Sequence, residues 1–387
     1  NLTSDKANGH SAQAHVTSRH ETACDGVIQT ANNMANCLPV FCRTPEMNPR
    51  THEKAAATPS QAPKTIAIAC QGGGSHTAFT GGVLQALLSN IDPARHRITA
   101  ISGTSGGAMC AAIAWYGLLQ NDPERGVQLL ESFWHEMSSH ALPDAFSNHF
   151  LVWLQRNSGY LALPEISPYH LPVAAQNYLA NIIKEHIDFP QLPALVKSTS
   201  PRLLVGAVDV LSGKFTVFSS HHEEMEKRIT PSALLASAAI PELFRAVQIG
   251  DDVYWDGLFS QNPPIRGFLG GQQPVEAKPD EIWVIQINPD KLQNEPRQIG
   301  EITDRRNELA GNLSLNQELF FVAQVNEWLE TGWLPADHFK HVKVRKIPLT
   351  LKLDYPSKLD RSPAFIDKLM AEGRRVGTKY LHRFSQT

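Results

Sequence analysis

The sequence predicts an α/β fold of three layers, α/β/α, around a mainly parallel central sheet. Three observations predict it. "TIAIAC" (65–70), a short β-branched run, passes through Gly72, Gly73 and Gly74 into "AFTGGVLQALLSN", whose apolar residues recur at helical spacing. The same order returns in "RITAISGTSGGAMCAAIAWYGLL", where a strand near Ile98–Ile101 runs through Gly103–Gly107 into a long helix of small residues. Further strands at "RLLVGAVDV", "KFTVFSS", "DDVYWDG" and "EIWVIQIN" alternate with helical stretches such as "PSALLASAAI", the pattern of a layered α/β domain.

The rest of the chain fits around this frame. Residues 1–63 are rich in Ser, Thr, Asn, Ala, Pro and His and close on "AAATPSQAPK", so a mostly disordered extension ending in a linker is expected. The domain proper is expected over 64–387. Between Pro123 and about Pro201, prolines and aromatics with little strand signal suggest helices and loops covering a site. After about residue 300, Leu309, Leu313, Leu315, Leu319, Phe320 and Val322 stand near helical spacing and predict an amphipathic helix closing the fold.

Composition narrows the function. The 387 residues are 42% hydrophobic and 19% charged, with 35 basic and 38 acidic side chains interspersed to a net charge of -3, which leaves no electrostatic footprint for nucleic acid. No apolar run approaches the roughly 20 residues of a spanning helix, and the longest, Ala108–Leu119, is interrupted by Gly117. A cytoplasmic or peripheral-membrane location is the expectation. The five cysteines lack zinc-site spacing; Cys70 and Cys110 lie in apolar stretches and read as buried thiols. In "HEMSSH", His135 and His140 would diverge by about 140° on a continuous helix, so no metal site is expected there.

Gly103-Thr104-Ser105-Gly106-Gly107 fits G-x-S-x-G, the elbow that exposes a serine nucleophile on a strand-to-helix turn. Gly103 and Gly107 leave room for the tight backbone, and the following helix points its positive end at the serine. Adjacent parallel strands would bring the triple glycine to the same sheet edge, where the amides of Gly73 and Gly74 could form an oxyanion hole. Asp256, between an aromatic strand and a glycine, would emerge there as a base. By itself an Asp-Gly pair after a strand reads as a simple turn first.

Taken together, the blocks resemble the patatin-like phospholipases from about Lys64 onward. "GGGSHTAFTGGVL" corresponds to that family's oxyanion loop, "GTSGG" to its elbow, "ASAAIPELF" (236–244) to the block before the acid, and "DGLFSQNPP" to the dyad block. The resemblance implies a patatin-like lipid acyl hydrolase with a Ser105–Asp256 dyad, an oxyanion hole at Gly72, Gly73 and Gly74, no cofactor or metal, a lipid ester as partner and transient contact with a membrane surface. Trp328, Trp333 and "KHVKVRK" could serve that contact, or be a core face and a solvated strand face.

This chain departs from the pattern in two places. His76 and Thr77 stand where the family carries a basic residue and a glycine, so a titratable charge is expected in place of a fixed one, and Leu258 follows Asp256-Gly257 where a small residue is usual. Competing readings are an α/β-hydrolase triad completed by His338, His341 or His382, an inactive protein of the same fold, and a phosphate-binding loop; for the last, no G-K-[ST] follows the glycines.

Overall fold

The computed structural model describes residues 62–140, 144–145, 147–149, 152–153, 167–170, 173–241, 243–270 and 273–385. Apart from its last two residues, the extension expected over 1–63 lies outside them, as do Cys24, Cys37 and Cys42.

Eight strands form one sheet: β1 (Lys64–Cys70), β2 (His96–Gly103), β3 (Arg202–Asp209), β4 (Phe215–Ser219), β5 (Val247–Ile249), β6 (Asp252–Asp256), β7 (Glu281–Gln286) and β8 (Lys343–Pro348). Their order is β5-β6-β3-β2-β1-β7-β8, with β4 also paired to β3. The pairs β3–β2, β2–β1, β1–β7 and β7–β8 are parallel, whereas β4 and β6 run antiparallel to β3. The sheet is thus mainly parallel with an antiparallel flank, which contains the strand ending at Asp256.

Strand alternation sorts the side chains into two cores. Ile66, Ile68 and Cys70 of β1 join the large cluster with Phe79, Leu84, Trp115 and Phe133. That face is covered by α1 (Ala78–Asn90), α2 (Gly106–Leu119) and α3 (Pro123–Met137), with α7 (Pro363–Ser385) packed along α1 and contributing Leu369 and Met370. Ala67 and Ala69 face the other side, where Ile282, Val284, Leu315 and Val322 meet Ile265 and Phe268. The cover here is the long helix α6 (Ile299–Glu330). Between the strands, α4 (Ala174–His186) and the short α5 (Pro231–Ser237) complete the helical layers.

Local chemistry explains the helix starts. Asp122 caps α3 by accepting from Arg125 N at 2.9 Å, and Thr230 caps α5 by accepting from Ala233 N at 3.1 Å; each helix has Pro at its first position. A Gln298–Glu301 capping box opens α6. α2 is apolar on every side and correspondingly buried on every side.

Two expectations are corrected. The buried face of α6 is Leu315, Val322 and Val325, while Leu309, Leu313 and Phe320 are 53%, 61% and 70% exposed. The His135 and His140 rings do meet, with centroids 4.3 Å apart, because α3 stops at Met137 and His140 Nε2 turns back to His135 O at 2.9 Å. Among the described residues no cluster of three or more ligand-type side chains could hold a metal, and no helix is long and apolar enough to cross a membrane.

Candidate active site

The strand pairings set the site. β3 is paired on one edge by β4; on its other edge it meets β2 first, Gly103 opposite Val205, and then β6, Asp256 opposite Ala207. Val205 and Ala207 are two residues apart, roughly 7 Å along a strand. The end of β2 and the end of β6 therefore converge from opposite directions on one stretch of β3. The residues after Gly103 turn off the sheet there, beside Asp256.

Ser105 occupies that turn with φ 55° and ψ -134°, one of two non-glycine residues with positive φ among those described. A left-handed serine is strained, and strain of this kind persists where the surroundings enforce it. Here the enforcement is visible: the Ser105 amide donates to Ser237 O at 3.1 Å and Ser237 Oγ at 3.0 Å, and Ser237 Oγ donates to Gly206 O at 2.7 Å. The neighbouring Thr104 hydroxyl donates to Gln261 O at 2.6 Å. Gly103 and Gly107 pack so closely that a Cβ on Gly103 would lie 2.5 Å from Gly107 O.

Asp256 is clamped by the same short segment, its amide donating to Ala239 O at 3.0 Å. One block, residues 236–239, thus fixes the backbones of both Ser105 and Asp256. The Asp256 side chain is fully buried; Oδ1 accepts from Leu258 N at 2.8 Å, and Oδ2 accepts no hydrogen bond. Burial pushes its pKa up to about 7, against smaller lowering effects from the Leu258 amide and the Ser105 hydroxyl. The hydroxyl is near enough to be felt, though outside a formed hydrogen bond to Oδ2. Leu258 acts here through its amide, which any residue would supply.

The glycine loop follows β1, which pairs with β2 so that Cys70 lies opposite Gly103. The Gly72 amide is already engaged, donating to Asn262 Oδ1 at 2.6 Å. The amides of Gly73 and Gly74 make no hydrogen bond among the described residues. Gly74 has φ +57°, and a Cβ there would lie 2.3 Å from Lys358 O, so no other residue fits. Thr77 Oγ1 donates to Gly74 O at 2.6 Å and stiffens the turn. Beneath it, buried Gln71 accepts from Ile287 N (2.9 Å) and Asn288 N (3.0 Å) and donates to Asn312 Oδ1 (2.9 Å).

His76 departs from expectation. It is 4% exposed, its Nε2 lies 2.8 Å from Ser357 Oγ, and its ring meets Phe365 edge-on. Burial, reinforced by neighbouring Lys358, pushes its pKa down to about 3, so the imidazole is neutral and carries no charge for a head group. The histidines of a triad are placed elsewhere: His338 and His341 are exposed beside Asp337 and Glu330, and His382 is exposed on α7. Cys70 and Cys110 are buried, with the Cys110 thiol pushed up to about 12.

Sequence reasoning missed Gln71, Ser237, Asn262, Asn288 and Lys358 as parts of the site. Ser237 and Asn262 lay inside quoted blocks and could have been found. Asn288 and Lys358 stand far from the glycines in sequence, with no local pattern marking them.

A search of the curated proteins finds no match. Among solved structures, VipD from Legionella pneumophila aligns at TM-score 0.37 and 13% identity, over 83% of this chain and 67% of that one. The type III effector ExoU of Pseudomonas aeruginosa aligns at TM-score 0.34 and 15% identity, over 83% of this chain and 53% of that one. The chain therefore spans about two thirds of the first and about half of the second. Residues 68–269, more than half of the chain, match the model of the patatin-like phospholipases, a stretch that holds the glycine loop, Ser105 and Asp256, and the chain belongs to that family.

Proposed function

We propose that the protein is a serine lipid acyl hydrolase, of phospholipase A or esterase type, that cleaves carboxylic esters of lipids with Ser105 as nucleophile and Asp256 as its base. The observation that carries this reading is the Asp256 carboxyl, fully buried, raised to about 7, and within reach of a serine held at φ 55°. A carboxylate in water is too weak a base for a serine hydroxyl, whereas one desolvated to near-neutral pKa is matched to the task.

Asp256 takes the Ser105 proton as Oγ bonds to the ester carbonyl carbon, and the carbonyl oxygen becomes an oxyanion facing the Gly73 and Gly74 amides. The oxyanion collapses, the C–O bond to the alcohol breaks, and the proton on Asp256 passes to the leaving oxygen. Water then gives a proton to Asp256 and attacks the acyl-serine. Collapse of the second oxyanion releases the fatty acid and returns the proton to Ser105. The α2 N-terminus adds positive potential at the same point. A transient encounter with a lipid surface is part of the proposal, since the substrate resides there.

A panel of p-nitrophenyl esters and phospholipid vesicles, tested with wild type, Ser105→Ala and Asp256→Asn, decides it. Hydrolysis by wild type and loss of at least a thousandfold in both variants is expected. Turnover surviving either substitution would overturn the dyad.

A further inference from the structure

The oxyanion loop brings no cation of its own. From Gln71 to Thr77 the side chains are neutral, His76 included. A cation nevertheless lies against it. Lys358 belongs to a short 3-10 turn, Tyr355–Leu359, between β8 and α7, about 280 residues further along the chain than the glycine loop it meets.

Its fit to the glycines is close on both sides. The Lys358 carbonyl is what forbids a Cβ at Gly74, and its Cε would lie 3.6 Å from a Cβ at Gly73. The ammonium is anchored: Nζ donates to Asn288 Oδ1 at 2.9 Å and lies 4.9 Å from the centre of the Tyr355 ring. Asn288 is itself tied to the loop, its amide donating to the same Gln71 Oε1 that accepts from Ile287 N. Hydrogen bonds therefore connect loop, amide network and ammonium. Lys358 is half-buried, and desolvation of its ammonium pushes it down to about 8 even though Glu308 and Asp304 favour its charged form.

We infer that Lys358 is the cation of the acyl-transfer site: a positioning residue, held by Asn288 and Tyr355 against Gly73 and Gly74, whose positive charge favours the developing oxyanion through the loop. This rests on the assignment of Ser105 and Asp256 above. The charged and titratable groups facing Lys358 are Asp304 and Glu308 of α6, His76 of the loop, and Asp354 and Tyr355 of its own turn.

The test uses the full chain as wild type, Lys358→Met and Lys358→Arg, with p-nitrophenyl butyrate from pH 6 to 10 and, separately, the rate at which an alkyl fluorophosphonate labels Ser105. Wild-type kcat and labelling should fall as pH passes about 8. Lys358→Met should lower kcat roughly ten- to a hundredfold with KM nearly unchanged, and should lose that descending limb. Lys358→Arg should keep most of the rate and move the limb to higher pH. A purely structural lysine predicts equal losses in both variants that follow the melting temperature; that result, or a descending limb intact in Lys358→Met, overturns the inference. Should Lys358→Met not fold, a wild type with flat labelling between pH 7.5 and 9 overturns it equally. A wild type that neither turns over nor labels sinks the Ser105–Asp256 reading instead, and the inference with it.

Discussion

The side chain of Asn262 holds the backbone of Gly72: Oδ1 accepts its amide hydrogen at 2.6 Å, across 190 residues of sequence. Asn262 is also gripped from α6, its own amide donating to Ser314 Oγ at 3.1 Å. The segment after Asp256 and the glycine loop after β1 are thereby joined, which ties the proposed base to the proposed oxyanion donors. Asn262→Ala leaves the buried Gly72 amide unpaired, at about 1–3 kcal/mol. The expected result is a lowered melting temperature together with a kcat reduced at least tenfold on p-nitrophenyl butyrate. A variant that melts lower yet keeps wild-type kcat would show that the loop keeps its shape without this tie.

Asp256 links rate to pH and stability to pH in opposite senses. As the proposed base it must be ionised, so kcat/KM should rise with pH through about 7, ahead of the fall expected past about 8 from Lys358. As a carboxyl raised from 3.8, it binds its proton more tightly folded than unfolded, so its contribution to stability is greatest on the acid side and declines as pH climbs from about 4 to about 7. Asp256→Asn keeps an oxygen for the Leu258 amide and removes the buried charge. It should abolish activity and raise the melting temperature at pH 8 by a few degrees, with little change at pH 4. An inactive variant that melts lower at pH 8 would contradict the burial argument.

His76 has the contrary slope in the same window. Its pKa falls from 6.5 to about 3 on folding, so the stability it contributes is complete above about 6.5 and is lost as pH drops toward 3. In wild type the two residues partly cancel between pH 4 and 6.5. Denaturant melts of Asp256→Asn should therefore show stability rising more steeply with pH across this interval than in wild type. His76→Lys, which forces an ammonium into a buried site beside Lys358, should destabilise by about 3 kcal/mol or more and bring no gain in activity. A well-folded, more active His76→Lys protein would mean that the loop accepts a second cation.

How far the site could be read in advance follows from how local each feature is. Strand–glycine–helix signals are written within about twenty residues, so β1–α1 and β2–α2 were legible, as was their adjacency. Asp256 stands out only beside the other blocks, since an Asp-Gly pair after a strand reads first as a turn. What could not be read was pairing between distant segments. β6 runs antiparallel to β3, β5 is three residues long, and β8 is a lysine-rich edge with little buried except Ile347. The network of Gln71, Asn288, Asn312 and Lys358 is assembled from four separate elements, and amides carry no periodicity to betray their partners. His76 shows the same gap for charge, since a histidine's protonation is set by burial that its own sequence neighbourhood does not record.

The long helix α6 shows the limit for apolar patterning and permits a direct test. Leu309, Leu313 and Phe320 share spacing with Leu315 and Val322 and were grouped with them, because a run rich in leucine satisfies more than one helical stripe. The sheet selects among the stripes: Ala67 and Ala69 on β1 present a flat, small-residue surface, and Leu315 and Val322 enter the cluster over it with Leu319 packed against them. Leu315→Ala removes a fully buried side chain and should cost about 2–4 kcal/mol. Leu313→Ala, at a position 61% exposed, should change stability by no more than about 0.5 kcal/mol. Urea melts of the two variants measure the difference directly. Equal losses would mean that the outer stripe of α6 is also covered, and that its leucines answer to a surface other than the sheet.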